Sequence, residues 1–398
     1  MSGSPAIDLP VAGGRLERYA LRGRPLPAPA PAATPLCRIA YAAAHVVADP
    51  WTTIDPRERA SVDWDRTIAY REYLWSLGLG VAEAMDTAQR GMGMDWPQSL
   101  ELIRRSMAAA RRWPGARIAS GCGTDQLAAG EARSIAEVIA AYEQQMEAIE
   151  ATGSPLVIMA SRALARVARG RDDYLAVYDR VLSQAREPVI LHWLGDMFDP
   201  ALAGYWGEAD PRAAMDTLID VIRARASKVN GIKISLLEKD AEIALRRRLP
   251  EGVRMYTGDD FNYAELIAGD GEGSHPGQQH SDALLGIFDA IAPAASLALR
   301  ALTDGDHATY ARILAPTVAL SRHLFASPTR HYKTGIVLLA WLNGHQAHFT
   351  MIGGDQSSRS LLHLAEVFRL ADQSDCLQQP DLAVRRMRHL LAMHGIGD

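Results

Sequence analysis

Cysteine is scarce in this chain, and Cys37, Cys122 and Cys376 lie far apart with no CxxC spacing. This pattern argues against a disulfide framework or a cysteine zinc site, and it favours a reducing, cytoplasmic location. Long hydrophobic runs are also lacking, since none approaches the ~20 residues that a membrane-spanning helix needs. The first residues do not have the basic and apolar segments of a secretory signal, so we expect no membrane partner.

Charge of one sign is lacking as well, because 42 Lys and Arg residues nearly balance 47 Asp and Glu residues, for a net charge of -5. We therefore expect no nucleic-acid partner and no binding to anionic lipid. With 48% hydrophobic residues, the 398-residue chain has the composition of a globular protein and the length for one large barrel or two domains.

Proline is concentrated in a Pro/Ala run over residues 25–31. Such a run favours polyproline II and cannot supply a regular hydrogen-bond ladder. We predict that residues 1–34 form a Pro/Ala-rich arm outside the core. Residues 35–295 are predicted to form the main domain, and residues 296–398 a helical extension packed on it.

Short apolar runs alternate with longer amphipathic segments from Arg38 onward, which indicates repeated βα units around a parallel sheet. We predict strands at 38–44, 78–83, 116–121, 155–160, 188–192, 231–235, 253–257 and, from a weaker pattern, 271–274. We predict helices between them at 65–77, 97–112, 134–151, 172–185 and 211–227. The fold class is therefore α/β, a (β/α)8 TIM barrel with a C-terminal helical extension.

Barrel enzymes place their chemistry at the carboxyl ends of the strands, and these positions are polar here. Lys233 is unusual among them because it lies inside an apolar strand, between Ile232 and Ile234. Strand alternation directs Lys233 to the barrel axis together with Gly231, whose missing side chain would leave room for a substrate. Burial would lower the amine pKa from ~10.4, as a lysine nucleophile requires.

Two motifs resemble those of the dihydrodipicolinate synthase and N-acetylneuraminate lyase family of class I aldolases. The run Gly231–Lys233 is similar to the Gly-Ile-Lys that carries the family's Schiff-base lysine, and Thr257–Asp260 is similar to its Ser-Gly-Asp-Asp. The resemblance spans about residues 38–375. It implies a Schiff-base-forming lyase or aldolase that acts on a small carbonyl compound without a cofactor and assembles as a dimer or tetramer.

Two departures from the family's motifs indicate an outlying branch with a changed substrate. Where the family has a proton-relaying tyrosine on strand five, this chain has His192, whose imidazole titrates near neutrality and would move protons in catalysis. The family's hydroxyl-rich strand-two motif is replaced by a segment with Glu83, Asp86 and Thr87. The two carboxylates would repel an anionic 2-keto acid such as pyruvate and would bind the hydroxyl groups of a keto-sugar or related compound.

Four further residues complete the predicted substrate-binding set. Arg162 would bind a phosphate or carboxylate, although an arginine at a helix start is also a common surface residue. Asp259 and Asp260 follow strand seven, where a helix cap and a turn are the competing roles. His275 would lie beside the eighth strand at the same mouth.

Two other functions stay open at the level of sequence. The alternative is a metal-dependent sugar isomerase or epimerase on the same barrel, in which a divalent cation polarises the carbonyl group. Its candidate ligands are His45, Glu83, Asp86, His192, Asp196, His275 and His280. The other is a barrel that binds a ligand without turnover, because a fold does not fix a function.

Overall fold

The structure, a computed structural model, describes residues 5–22, 24–29 and 35–397. Its strands are β1 (Ala6–Val11), β2 (Arg15–Ala20), β3 (Ala40–Ala43), β4 (Gly80–Glu83), β5 (Ile118–Cys122), β6 (Leu156–Ile158), β7 (Val189–Leu194), β8 (Val229–Ser235), β9 (Arg254–Thr257) and β10 (Asp282–Leu285). Strands β3 to β10 pair in parallel with their sequence neighbours, and β10 pairs with β3 to close the barrel. The predicted (β/α)8 barrel is confirmed.

Helices surround the barrel and continue beyond it. They are α1 (Trp64–Ser76), α2 (Trp96–Ala110), α3 (Ile135–Glu150), α4 (Arg162–Val167), α5 (Arg171–Gln184), α6 (Pro211–Ala224), α7 (Lys239–Arg246), α8 (Tyr263–Ala268), α9 (Pro276–Gln279), α10 (Ile287–Ala290), α11 (Ala292–Thr303), α12 (His307–Leu324), α13 (Tyr332–Leu342), α14 (Leu361–Gln373) and α15 (Pro380–Met393). The predicted barrel helices begin and end within a few residues of α1, α2, α3, α5 and α6, and side-chain caps fix the starts of α1, α2, α3 and α6. Asp95 and Gln98, for example, form a reciprocal capping box at α2.

The prediction of the eighth strand at 271–274 is wrong. Gly271 and Gly273 have φ values of +70° and +132°, which belong to turns, and the segment joins α8 to the amino end of β10. The eighth strand of the barrel is β10, whose four residues are all buried. A short buried run of this kind does not distinguish a strand from a buried helix. This shift moves the following loop, with its two histidines, to the opposite end of the barrel from the mouth.

The prediction that residues 1–34 lie outside the core is wrong for the hairpin of β1 and β2. Ile7 and Leu9 are buried in the same apolar core as helices α14 and α15. Tyr19 donates a hydrogen bond from its hydroxyl to Asp372, at 2.8 Å, and Arg388 donates to the backbone oxygen of Ala6, at 2.9 Å. Residues 1–4, 23 and 30–34 of the predicted arm lie outside the described residues.

The C-terminal helices pack on the barrel, and α13 is buried along its whole length. Within the described ranges, no helix is long and apolar enough to span a membrane. Inside the barrel, small residues on neighbouring strands, such as Ala43, Ala82 and Ala119, share a core with the ring of Tyr256. Apolar side chains therefore fill the lower part of the barrel interior, and the polar side chains lie at the carboxyl ends of the strands.

Candidate active site

Lys233 and His192 lie side by side at the mouth of the barrel. They are paired in register on β8 and β7, and Lys233 is paired with Tyr256 on β9. Ile232 and Ile234 belong to the core between strands and helices, so Lys233 has the opposite orientation, toward the interior. The space beside Gly231 is occupied by the Tyr256 ring, 2.6 Å from where a Cβ would lie, and is not free for a substrate.

The Lys233 amine is buried without a fixed partner. Its residue is 5% exposed, and none of the described residues accepts a hydrogen bond from it. Burial lowers its pKa, while the carboxylates of Asp86 and Asp260 act in the opposite direction. A Cβ on Gly258 would lie 2.7 Å from Lys233 Cε, so the glycine of the Thr257–Asp260 motif makes room for the lysine side chain. The amine is thus free to meet a ligand and is easier to deprotonate than an exposed lysine.

His192 is a neutral imidazole in this setting. Its Nε2 lies 3.3 Å from Ser235 Oγ, and the side chain is almost fully buried. Burial, and secondly the charge of Lys233, hold its pKa well below the ordinary histidine value. At neutral pH, the ring can therefore accept a proton but is not itself a proton donor in its resting state.

Of the two acids after β9, Asp260 belongs to the mouth and Asp259 to the loop. Asp259 accepts hydrogen bonds from the backbone N–H groups of Phe261 and Asn262, at 2.8 and 3.0 Å, which is the turn role weighed from sequence. Asp260 accepts one from the backbone N–H of Ile287, at 2.9 Å. Burial raises the pKa of Asp260 to about 8, so a carboxyl group that exchanges its proton near neutrality lies next to Lys233.

Helix α13 supplies a residue that the sequence did not single out for function, Tyr332. Its hydroxyl donates to Asp86 Oδ2, at 2.9 Å, and lies 2.5 Å from Thr87 Oγ1. Burial keeps the Tyr332 pKa well above the ordinary value, so the phenol stays a donor. The next residue, Lys333, is buried too, and its amine donates to the backbone oxygen of Arg330, at 2.9 Å. Only the fold reveals the contact of Tyr332 with Asp86 and Thr87, because α13 comes after all the barrel strands and lies far from both residues in sequence.

Two residues of the predicted substrate-binding set lie elsewhere. Glu83 is fully buried and forms an ion pair with Arg71, with 2.9 Å between Glu83 Oε1 and Arg71 Nη2, so the prediction of a substrate contact is wrong. Its strand position was read correctly, but its side chain faces α1 and α2. His275 lies at the amino end of the barrel, where its Nε2 is 3.2 Å from the backbone oxygen of Leu249, and cannot reach the mouth.

A cavity of about 630 Å³ opens at the mouth over β4 to β7. Asp86, Arg162 and His192 line it, whereas Lys233 lies one strand beyond its wall. Arg162 is half-exposed and forms an ion pair with Asp199. The cavity also contains Arg90, which sequence reasoning missed and which forms an ion pair with Asp125, at 2.6 Å.

The side chains that would hold a metal ion are not gathered. Within the described residues, no group of three or more His, Cys, Asp or Glu side chains is arranged for a metal. His45 is held by Asp289, with 2.9 Å between Nδ1 and Oδ2, and Glu83 by Arg71. The donor set proposed for a metal-dependent isomerase is therefore divided between structural ion pairs and the two ends of the barrel.

Solved structures with this fold include several dihydrodipicolinate synthases. The chain is similar to an E. coli K12 prophage protein of the dihydrodipicolinic acid synthase family in complex with pyruvate (TM-score 0.63, 15% identity, 87% of this chain and 99% of that one). It is also similar to the enzymes from Acinetobacter baumannii (0.60, 14%, 86% and 99%) and Aquifex aeolicus (0.58, 12%, 90% and 98%). At these identities, the similarity establishes a shared fold.

Sequence comparison gives the family itself. No curated protein sequence matches the chain. The model of the family described as "Protein of unknown function (DUF993)" matches residues 7–396, and the chain belongs to that family.

Proposed function

We propose that this protein is a class I lyase or aldolase that forms a Schiff base between Lys233 and a small carbonyl compound. The observation that carries the proposal is the buried Lys233 amine, free of hydrogen bonds to the described residues, at the mouth of a dihydrodipicolinate synthase-like barrel. A lysine in such a place has a lowered pKa, so a larger share of its amine is in the deprotonated, nucleophilic form than for an exposed lysine.

The surrounding groups fit the steps of this chemistry. The deprotonated amine adds to the carbonyl carbon, and one proton of its nitrogen moves to the oxygen to give a neutral carbinolamine. Asp260, with its pKa near 8, supplies the proton with which the hydroxyl group leaves as water, and an iminium ion forms. The iminium group then accepts the electron pair of the neighbouring carbon–carbon bond as that bond breaks, which leaves an enamine on Lys233. His192 takes the proton from the leaving fragment's hydroxyl group. Protonation of the enamine carbon and hydrolysis by water release the second product and return the free amine.

The substrate is proposed to be an uncharged carbonyl compound rather than pyruvate. Pyruvate is bound by the E. coli K12 neighbour named above. In this chain, Asp86 and Thr87 occupy the strand-two position and are joined by the Tyr332 hydroxyl. Because a fixed carboxylate repels a substrate carboxylate, this side of the mouth favours a hydroxyl or other uncharged group.

Reductive trapping tests the proposal directly. The chain has four lysines, Lys228, Lys233, Lys239 and Lys333, so peptide mass spectrometry can assign a label without ambiguity. We expect borohydride and a panel of ketones and aldehydes to add one substituent at Lys233, faster as the pH rises through the lowered pKa of its amine.

Matched variants complete this test. Lys233→Ala should lose both the label and turnover. Lys239→Ala, which removes a partly exposed lysine that pairs with Glu265, should keep both. A Lys233→Ala enzyme that still turns over the trapped compound, or a label found on another lysine, would refute the proposed mechanism.

A further inference from the structure

The part of the cavity away from the lysine has a largely apolar wall. Beyond Asp86 and His192, the lining includes Met94, Trp96, Leu127 and Met159. Ligand pockets of this kind bind the apolar part of a molecule through the wall and orient it through a few polar groups. The volume of about 630 Å³ exceeds what a three-carbon carbonyl compound would fill.

Trp96 is positioned by one contact of its ring and by the cap of the helix that it begins. The Arg90 guanidinium lies 5.2 Å from the centroid of the indole ring. The preceding residue, Asp95, is the N-cap of α2 and accepts a hydrogen bond from the backbone N–H of Gln98, at 2.9 Å. The ring therefore forms a preorganised part of the wall, and a ligand need not order it on binding.

The arginines of this cavity offer little to an anion. Arg90 donates to Asp125, to Gln145 and to the backbone oxygens of Gly121 and Ala84, which together use all five of its N–H groups. Arg162 is neutralised by Asp199.

Two further aspartates, Asp86 and Asp95, line the cavity, and neither forms an ion pair with an arginine among the described residues. The charge of the lining is therefore negative, and an anionic group would be repelled.

We propose that the wall around Trp96 binds an uncharged aromatic group carried by the carbonyl substrate. This inference rests on the proposed function, because it assigns the far part of the molecule whose carbonyl group Lys233 attacks. Asp86 and His192 connect the apolar wall to Lys233. Both line the cavity, and both interact electrostatically with the Lys233 amine. The substrate class is thus an aryl-substituted ketone or aldehyde without a carboxylate.

Calorimetric titration of 4-phenyl-2-butanone, 2-butanone and dihydroxyacetone into the Lys233→Met protein tests the wall without covalent chemistry. We expect the aryl ketone to bind about 30-fold more tightly than 2-butanone, the gain expected from burying one phenyl group. Trp96→Ala should reduce this preference to about threefold, and Leu127→Asn should lower it independently. Trp51→Ala, at a residue that is 90% exposed and outside the cavity lining, should leave it unchanged.

Borohydride trapping with the same compounds in the wild-type protein separates the two proposals. Equal affinity for the two ketones, or tightest binding of dihydroxyacetone, overturns the aromatic site even if Lys233 is labelled. Tight, Trp96-dependent binding of the aryl ketone with no trapping at Lys233 refutes the Schiff-base mechanism and leaves the aromatic site standing.

Discussion

Glu83→Ala is expected to lower the free energy of unfolding by about 3–5 kcal/mol, the usual effect of leaving one partner of a buried ion pair alone. The Glu83 carboxylate accepts four hydrogen bonds in a site closed to solvent. Two come from Arg71, both at 2.9 Å, one from Ser106, at 2.5 Å, and one from the backbone N–H of Ala84, at 2.9 Å. Without the carboxylate, the buried Arg71 guanidinium keeps only backbone oxygens as partners.

A matched control exists on the surface of α2. Glu101 pairs with Arg105 at 2.7 Å, and both side chains are more than one-third exposed. Because solvent screens such a pair, Glu101→Ala should change the free energy of unfolding by less than about 1 kcal/mol. Urea unfolding followed by circular dichroism gives both values under the same conditions.

The double variant Arg71→Met, Glu83→Leu sharpens this comparison. It removes both charges and fills a similar volume, so it should be more stable than Glu83→Ala alone. If Glu83→Ala and Glu101→Ala proved equally stable, the assignment of Glu83 to a structural ion pair would be wrong. A direct role in ligand binding would then need to be reconsidered.

Three further outcomes follow from the site and its surroundings. Gly258→Ala should abolish borohydride trapping at Lys233 and lower the free energy of unfolding by about 1–3 kcal/mol through overpacking. Gly130→Ala, where the added Cβ would meet open space, should change neither result in the same trapping and urea assays. Tyr332→Phe should lower kcat about tenfold or more, through loss of a hydrogen bond to a charged group, with the fold intact by circular dichroism. Burial raises the pKa of Glu242 from 4.5 to about 8, so its contribution to the stability of the fold is greatest at low pH and is lost as the pH rises to 8. Glu242→Gln should therefore reduce the fall in the free energy of unfolding between pH 5 and pH 8, measured with urea, by at least about 1 kcal/mol.

The barrel was predictable from sequence because its signals are local and repeated. Apolar runs at regular spacing, with caps such as Asp95 and Gln98, specify seven strands and the helices between them. The eighth strand was missed because four buried residues carry no alternation. The hairpin before residue 35 was missed because its burial depends on helices near the other end of the chain.

The site was predictable only along the strands. Strand alternation gave the inward orientation of Lys233, since a period of two is a property of the strand itself. The roles of Glu83 and Tyr332 depend on which helix packs where, and no spacing in the sequence encodes that. His275 was misplaced because the eighth strand was. It would follow a strand at 271–274, at the mouth, but it precedes β10 and so lies at the opposite end of the barrel.

The position of Tyr332 on α13 has a consequence for the order of biosynthesis. A ribosome releases the strand that carries Lys233 before it has made the helix that carries Tyr332. The nascent chain therefore contains Lys233 without the hydroxyl group that donates to Asp86. Competence for the proposed reaction would arise only when the last helices dock, so the unfinished chain cannot act on cellular carbonyl compounds with a complete site.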